Sequence, residues 1–403
     1  MSSEARRYGP FSALGNHNFR LYFTGHVLSF VGTHMQRVTT SWLILEITGS
    51  PTALGLMLAA QYTPALVLSL TAGVLVDRWP RRKVMLVSQT ALLLQALALA
   101  ALTFGGGIQP WQLGALAFAL GIANTFDGSA RRTIAADLVE REYVQSAISM
   151  SKTGANLARI AGPAIGALVI VAFGPAWCFV FNAVSYLFGM GALLLMRTDR
   201  LQPFTAPEPG SMLEQIKDGM RYVRGNAQVR LPLTLQLFIG MFGDNFITFL
   251  PLIAIVAFQA GPGGLGALSA AQGIGTVIGA VLVGGAPMPT SRSLLLSATG
   301  FTVLLLAVAG SPDFVLTVAL VTVMLVVFAF YDASTQTALL LGSQPEYRGR
   351  MLSFYTLMSA GSLPLGATLT GILADLWGVR VALGIDAVLC LVGVVVARLV
   401  ARR

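Results

Sequence analysis

The scarcest thing in this sequence is charge. Only 11% of its 403 residues are Asp, Glu, Lys or Arg, and 55% are hydrophobic. Soluble domains carry about 25% charge, and one soluble core cannot hide this much apolar surface, so the composition excludes a soluble globular protein. Cysteine and histidine are also rare, two and three residues. That excludes a disulfide framework and a His/Cys metal cluster, and both Cys178 and Cys390 lie in apolar runs where packing is their role. No Gly-Lys-Ser/Thr run is present, so no ATP phosphate cradle is expected. No nucleophile–base pair stands out, so no enzyme and no cofactor is expected. Residues 1–18 are polar, and no short apolar core with a small-residue cleavage site follows. A cleaved signal peptide is therefore not expected.

What remains is apolar segments of about twenty residues. Barrel strands would alternate over about ten, whereas continuous runs of this length read as membrane helices. Twelve candidate spans are read at 19–46, 51–76, 83–104, 110–132, 148–173, 175–196, 230–258, 263–285, 293–310, 313–341, 351–376 and 379–399. A polar interval carrying Pro203, Pro207 and Pro209 separates six spans from six. After those prolines, residues 212–223 place apolar side chains at helical spacing, which predicts an amphipathic helix on the membrane surface. The expected domains are an amino-terminal six-helix bundle (1–196), a linker with this helix (197–230) and a carboxy-terminal six-helix bundle (231–403).

The net charge of +9 would suggest nucleic acid in a soluble protein. Here the cations cluster at span ends, as topology signals do, and no nucleic-acid partner is expected. With the amino terminus inside, nearly all of the 26 Lys and Arg fall on the inner side. Arg380 is outer, and Arg37 and Arg159 lie within spans. The bias predicts a multi-pass protein of the bacterial cytoplasmic (inner) membrane with both termini cytoplasmic.

The halves resemble each other. Residues 126–133, Phe-Asp127-Gly-Ser-Ala-Arg131-Arg132-Thr, match 331–338, Tyr-Asp332-Ala-Ser-Thr-Gln-Thr-Ala, 205 positions later. Glu142-Tyr143 and Gly162 recur 204 positions on, as Glu346-Tyr347 and Gly366. Gly73-Val-Leu-Val-Asp77-Arg-Trp recurs as Gly371-Ile-Leu-Ala-Asp375-Leu-Trp without its basic run. A near-constant offset indicates a duplicated unit. The expected fold is all-α and integral to the membrane, twelve transmembrane helices in two pseudo-symmetric six-helix bundles with a site between them.

The loop Gly73, Asp77, Arg78, Arg81, Arg82 between spans two and three resembles the best-known motif of the major facilitator superfamily, with Pro80 replacing its usual glycine. Asn16-His-Asn-Phe-Arg20, Thr48-Gly-Ser50 and Pro345-Glu-Tyr-Arg-Gly-Arg350 resemble the branch that holds the enterobactin exporter and macrolide-efflux proteins. The resemblance implies a secondary transporter that exports a small amphipathic molecule, drug-like or siderophore-like, driven by the proton gradient through antiport and alternating access. A monomer in the lipid bilayer is expected. A lipid or lysolipid flippase of the same fold, or a non-transporting sensor or scaffold, are the alternatives. The resemblance also implies that Asp77 bridges to Arg131 or Arg132 at the inner end of span four and gates the inner face. Gly162, Pro163 and Gly166 in span five resemble the superfamily's antiporter signature, with Ala167 where a closing glycine is expected; ordinary tight packing reads the same residues otherwise.

Charge inside a span costs at least about 2.5 kcal/mol at the midplane and is a functional candidate for that reason. Asp244, in Gly243-Asp-Asn245-Phe, sits at the centre of span seven and suits proton uptake and release. Asp332 is a second proton-coupling candidate. Asp127 is a third, although an ion pair with Arg131 four residues on explains it as well. His26, Thr33 and Arg37 share one face of span one. With His34, Arg159 and Asn245 they form the candidate substrate cavity, and a satisfied polar contact between helices is the competing reading for the two histidines.

Overall fold

The computed structural model describes residues 11–196 and 212–401, apart from the side chains of residues 69–70, 73–74, 77–78, 132–133, 135–136, 141, 212–216 and 401. Most of the expected linker, residues 197–211, therefore lies outside the described residues. Regular structure among the described residues is helical throughout. The helices are α1 (His17–Thr48), α2 (Pro51–Arg78), α3 (Arg81–Phe104), α4 (Pro110–Asp137), α5 (Val144–Phe173), α6 (Pro175–Leu195), α7 (Met212–Gly225), α8 (Ala227–Phe242), α9 (Phe246–Pro251), α10 (Gly261–Gly284), α11 (Ser291–Ala309), α12 (Phe314–Gly342), α13 (Arg348–Ala360), α14 (Leu363–Trp377) and α15 (Val379–Ala401).

Among the described residues, ten helical segments are long and apolar enough to cross a membrane. α1 and α4 match them in length, at 32 and 28 residues, but are more polar. α1 carries Arg20, His26, His34 and Arg37, and α4 carries Asp127, Arg131 and Arg132.

Two expected spans are not single helices, which corrects the sequence reading. Residues 230–258 divide into α8, α9 and a π-helical turn at Leu252–Ala257. The break falls on Gly243-Asp244-Asn245, where the N–H groups of both Gly243 and Asp244 donate to the Ile239 carbonyl at 2.7 and 2.6 Å. Residues 351–376 divide into α13 and α14 at Gly361-Ser362, just ahead of Pro364. Periodicity cannot show such breaks, because a helix interrupted for two or three residues keeps its apolar content.

The helices form two compact units. The first comprises Met1–Thr39, Val67–Ile108 and Phe118–Pro207; the second comprises Thr40–Leu66, Gln109–Ala117 and Glu208–Arg403. In the first unit, Leu92, Ala96, Leu120, Ala123, Ala183 and Tyr186 of α3, α4 and α6 form one core. α5 lies on α1 through small residues. A Cβ on Gly162 would stand 2.6 Å from His34 Cβ and 2.7 Å from the Val31 carbonyl oxygen, and one on Gly166 would stand 3.0 Å from Met35 Cγ. Pro163 is buried in the same face.

In the second unit α10 packs along α12, and Gly275 and Gly279 meet its backbone at Thr322 and Val326. The amphipathic α7 packs against α13 and the residue before it. Gly219 packs against the Phe354 ring of α13, and the Tyr222 ring stacks on Tyr347 at 4.0 Å and 6°.

The repeat reaches the backbone. Gly174 and Gly378, 204 positions apart, have φ of 91° and 86° and stand just before α6 and α15. A side chain at either position would be strained. Overpacking a well-fitted contact costs about 1–3 kcal/mol. Gly279→Leu, whose Cβ would stand 2.6 Å from the Val326 carbonyl oxygen, is therefore expected to lower the Tm of the detergent-purified protein by several degrees. Gly284→Leu, where nothing approaches within 4 Å, should leave it unchanged.

Candidate functional site

In the basic loop after α2, the side chains of Gly73, Asp77, Arg78 and Arg132 lie outside the described residues, and the expected Asp77 pairing with them. The arginines that are described work between helices. Arg81, at the start of α3, forms an ion pair with Asp137, the last residue of α4. Arg82 donates to the final carbonyls of α6, from Nε to Leu193 at 2.7 Å and from an Nη to Leu194 at 3.0 Å. A cation there satisfies orphan acceptors and opposes the negative end of the helix dipole. The Arg131 guanidinium pairs with Asp127 one turn earlier on α4, as the ion-pair reading of Asp127 expects, touches His26 Nδ1 and lies 4.9 Å over the Phe30 ring.

The polar stripe expected on α1 also finds partners on neighbouring helices. His26 is buried, stacked on Tyr22 at 5.2 Å and 11°, and tilted against Phe30. Thr33 donates to the Ser29 carbonyl and shares a 3.0 Å hydrogen bond with the Tyr186 hydroxyl of α6. His34 is buried against Gly162 of α5. The three residues join α1 to α4, α6 and α5 within the first unit, because hydrocarbon offers them no partner and neighbouring helices do. Arg37 is half-buried and its Nε has no hydrogen-bond partner, whereas Arg159 on α5 is exposed.

A buried amide ladder completes this unit. Gln36 donates to Gln95 Oε1 at 2.9 Å, and Asn182 donates to Gln36 Oε1 at 2.7 Å. Ser185 donates to Asn182 Oδ1 at 3.1 Å, and Gln89 bonds to Asp127. Gln36, Gln89 and Gln95 are uncharged and scattered through apolar runs, so sequence reading passed over them. A glutamine at mid-span was the only available signal.

The second unit holds the other two coupling candidates. Asp244 lies in the break between α8 and α9, and its Oδ2 accepts from the Ser359 hydroxyl at 2.9 Å. Asp332 on α12 accepts from the Tyr355 hydroxyl and from Gln336 Nε2 at 3.0 Å. Tyr355 and Ser359 stand one turn apart on α13, so a single face of that helix holds both carboxylates. Close backbone contact fixes the crossing. A Cβ on Gly240 would strike the Met358 carbonyl, and one on Gly366 the Met241 carbonyl. Thus the second broken span crosses the first beside Asp244. Asn245 is buried there; its Oδ1 accepts from Thr248 at 2.7 Å and its Nδ2 has no hydrogen-bond partner. Nearby, Tyr331 donates to Gln236 at 3.2 Å. Asp386, repeat-related to Asn182, is buried and accepts from Thr370 at 2.8 Å.

The profile of the transmembrane secretion effectors matches residues 8–402. The chain belongs to that family, within the major facilitator superfamily. It is 23% identical to the staphyloferrin A transporter of Staphylococcus aureus (strain NCTC 8325 / PS 47) over 89% of this chain and 90% of that one. It is 24% identical to macrolide efflux protein A of Streptococcus pyogenes, with 90% of each chain covered. Among solved structures, a bacterial homolog to the human lysosomal transporter Spinster, inward-facing and unoccupied, superposes with a TM-score of 0.75 at 14% identity. That match covers 99% of this chain and 98% of the other. By name these are transporters and an efflux protein, and the chain is a transporter, not an enzyme.

Among the described residues of this secretion effector, no group of three His, Cys, Asp or Glu side chains could hold a metal. Sequence reading missed Tyr355, Ser359 and Asp137. The first two look like ordinary helix residues until α13 is placed against α8 and α12. Asp137 carried a signal, an acid ending one span near a run of cations. Because the amide ladder has no water to fall back on, losing its central member leaves buried donors and acceptors unpaired, at about 1–3 kcal/mol. Gln36→Leu is expected to lower the Tm of the purified transporter measurably; an unchanged Tm would show that the ladder adds nothing to stability.

Proposed function

We propose that this secretion effector is a proton-coupled exporter of a small amphipathic molecule, drug-like or siderophore-like, in the bacterial cytoplasmic membrane. The chain crosses twelve times, with both termini cytoplasmic. Two six-helix bundles, residues 1–196 and 231–403, rock about the linker 197–230 in alternating access. The carrying observation is the placement of Asp244. It sits in a helix break inside a membrane segment, held by Ser359 of the other broken segment, and one turn away on the same face of α13 Tyr355 donates to Asp332 of α12. Discontinuous helices put polar backbone where ions and substrates bind, and carboxylates inside a membrane are proton relays by default.

In this reading Asp244 and Asp332 take up protons and release them, and Ser359 and Tyr355 change partners as they do. Asp127 is committed to Arg131, so its part is structural. The family and its siderophore- and macrolide-exporting relatives support the direction of transport and the class of cargo. The basic loop at Gly73 to Arg82, with Arg131 and Arg132, works at the inner gate. Arg37, Arg159 and Asn245, each with polar atoms not consumed by a described ion pair, are the cavity residues that would meet cargo.

The test is export measured as uptake into inverted vesicles of a strain lacking its own exporters, run on a panel of siderophores and macrolides. Collapsing the pH gradient is expected to stop efflux of whichever compound is moved; undiminished flux would refute proton coupling. Asp244→Asn should reduce gradient-driven efflux to background while substrate exchange persists. Tyr355→Phe should shift the pH dependence of efflux without abolishing it.

A further inference from the structure

Residues 371–377 keep the spacing of 73–79 but carry none of its basic run, and the structure shows what their acid does. Asp375, in the last turn of α14, turns its Oδ2 to the first turn of α2. It accepts from the Ser50 hydroxyl at 2.7 Å and from the Thr52 N–H at 2.9 Å. Ser50 Oγ in turn accepts from the Ala53 N–H at 3.2 Å. The start of α2 thus offers orphan N–H groups and a partial positive charge, and a carboxylate from another helix takes them up.

The two helices are also in backbone contact below this cap. A Cβ on Gly371 would stand 2.6 Å from the Pro51 carbonyl oxygen, and one on Gly55 would stand 2.5 Å from the Ala367 carbonyl oxygen. Ala367, Gly371 and Asp375 follow one another at four-residue steps on a single stripe of α14. All of these contacts lie within the second unit, into which the first part of α2 is grouped.

We infer that Asp375 and the start of α2 form a latch on the side of the molecule opposite the basic loop, closed in this conformation and parting when that side opens. The inference rests on the alternating-access reading above. Its physics suits a reversible contact. Glycine-to-backbone packing is made or lost as a whole, because a small separation forfeits most of the contact. Asp375 is exposed, so water can take over its hydrogen bonds as the helices part, and the latch biases the equilibrium without making opening prohibitive. The two copies of the repeated spacing then serve opposite faces. Asp77 sits at the basic end of α2, and Asp375 clasps the other end of the same helix.

The experiment uses the full-length transporter in nanodiscs carrying Thr52→Cys, with labelling by a membrane-impermeant maleimide. Removing charge-assisted hydrogen bonds from Asp375 should raise the open population, so Asp375→Ala is expected to speed labelling about ten-fold. Asp375→Asn, which keeps an acceptor oxygen, should give a smaller increase. An unchanged rate in Asp375→Ala overturns the latch. Buried Cys178 and Cys390 report unfolding in the same samples, and a rise at position 52 accompanied by their labelling also counts against it. In a second arm, a disulfide between Ser50→Cys and Asp375→Cys should block export until reduced, and export unaffected by the disulfide overturns the latch. If the unmodified protein exports none of the panel compounds, the transport reading fails, and the labelling rates alone decide the latch.

Discussion

Hydrocarbon offers no hydrogen bonds. That constraint shapes this structure more than any single contact, because polar groups inside a span take their partners from their own helix or from a neighbouring one. The amide ladder from Gln95 through Gln36 to Asn182, the Asp127–Arg131–His26 cluster and the pairing of Thr370 with Asp386 are all answers to it. Between them, glycines let backbones approach and supply the packing that water would drive in a soluble protein. Polar pairing and close packing are therefore two aspects of one arrangement: Gly162 admits His34, and Gly366 brings α14 against the turn that holds Asp244.

The same constraint makes the two broken segments stand out. Breaking a helix within a membrane exposes backbone groups, and the protein breaks two segments and crosses them. The break at Gly243-Asp244-Asn245 is held by the segment containing the break at Gly361-Ser362. The acids there differ in kind from Asp127. Asp127 is matched by a cation on its own helix, whereas Asp244 and Asp332 accept from the neutral hydroxyls of Ser359 and Tyr355.

The duplication keeps single positions alike at one offset, and one short spacing recurs outside it. Gly174 and Gly378 keep the same backbone turn, and Asn182 and Asp386 keep a buried polar position. The glycine–aspartate spacing at 73–77 and 371–375 persists in different surroundings. The first copy is followed by Arg81 and Arg82, which fasten α3 to α4 and α6. The second lacks cations and meets the start of α2 instead.

Composition, the length of the apolar runs and the distribution of Lys and Arg determined an all-helical membrane chain, because hydropathy over twenty residues is a local property that neighbours cannot overrule. The family motifs likewise placed it in the major facilitator superfamily, and the position of Asp244 was readable because a charge in an apolar run cannot be hidden. Only the tertiary structure decided which polar groups meet. It turned His26 and His34 into helix contacts, gave Arg81 to Asp137, brought Tyr355 and Ser359 to the acids and carried Asp375 to Ser50. Each of these depends on residues tens to hundreds of positions apart, and on helix breaks at which the apolar pattern runs on unchanged. Pairing is set by which faces pack together, and no stretch of sequence holds that on its own.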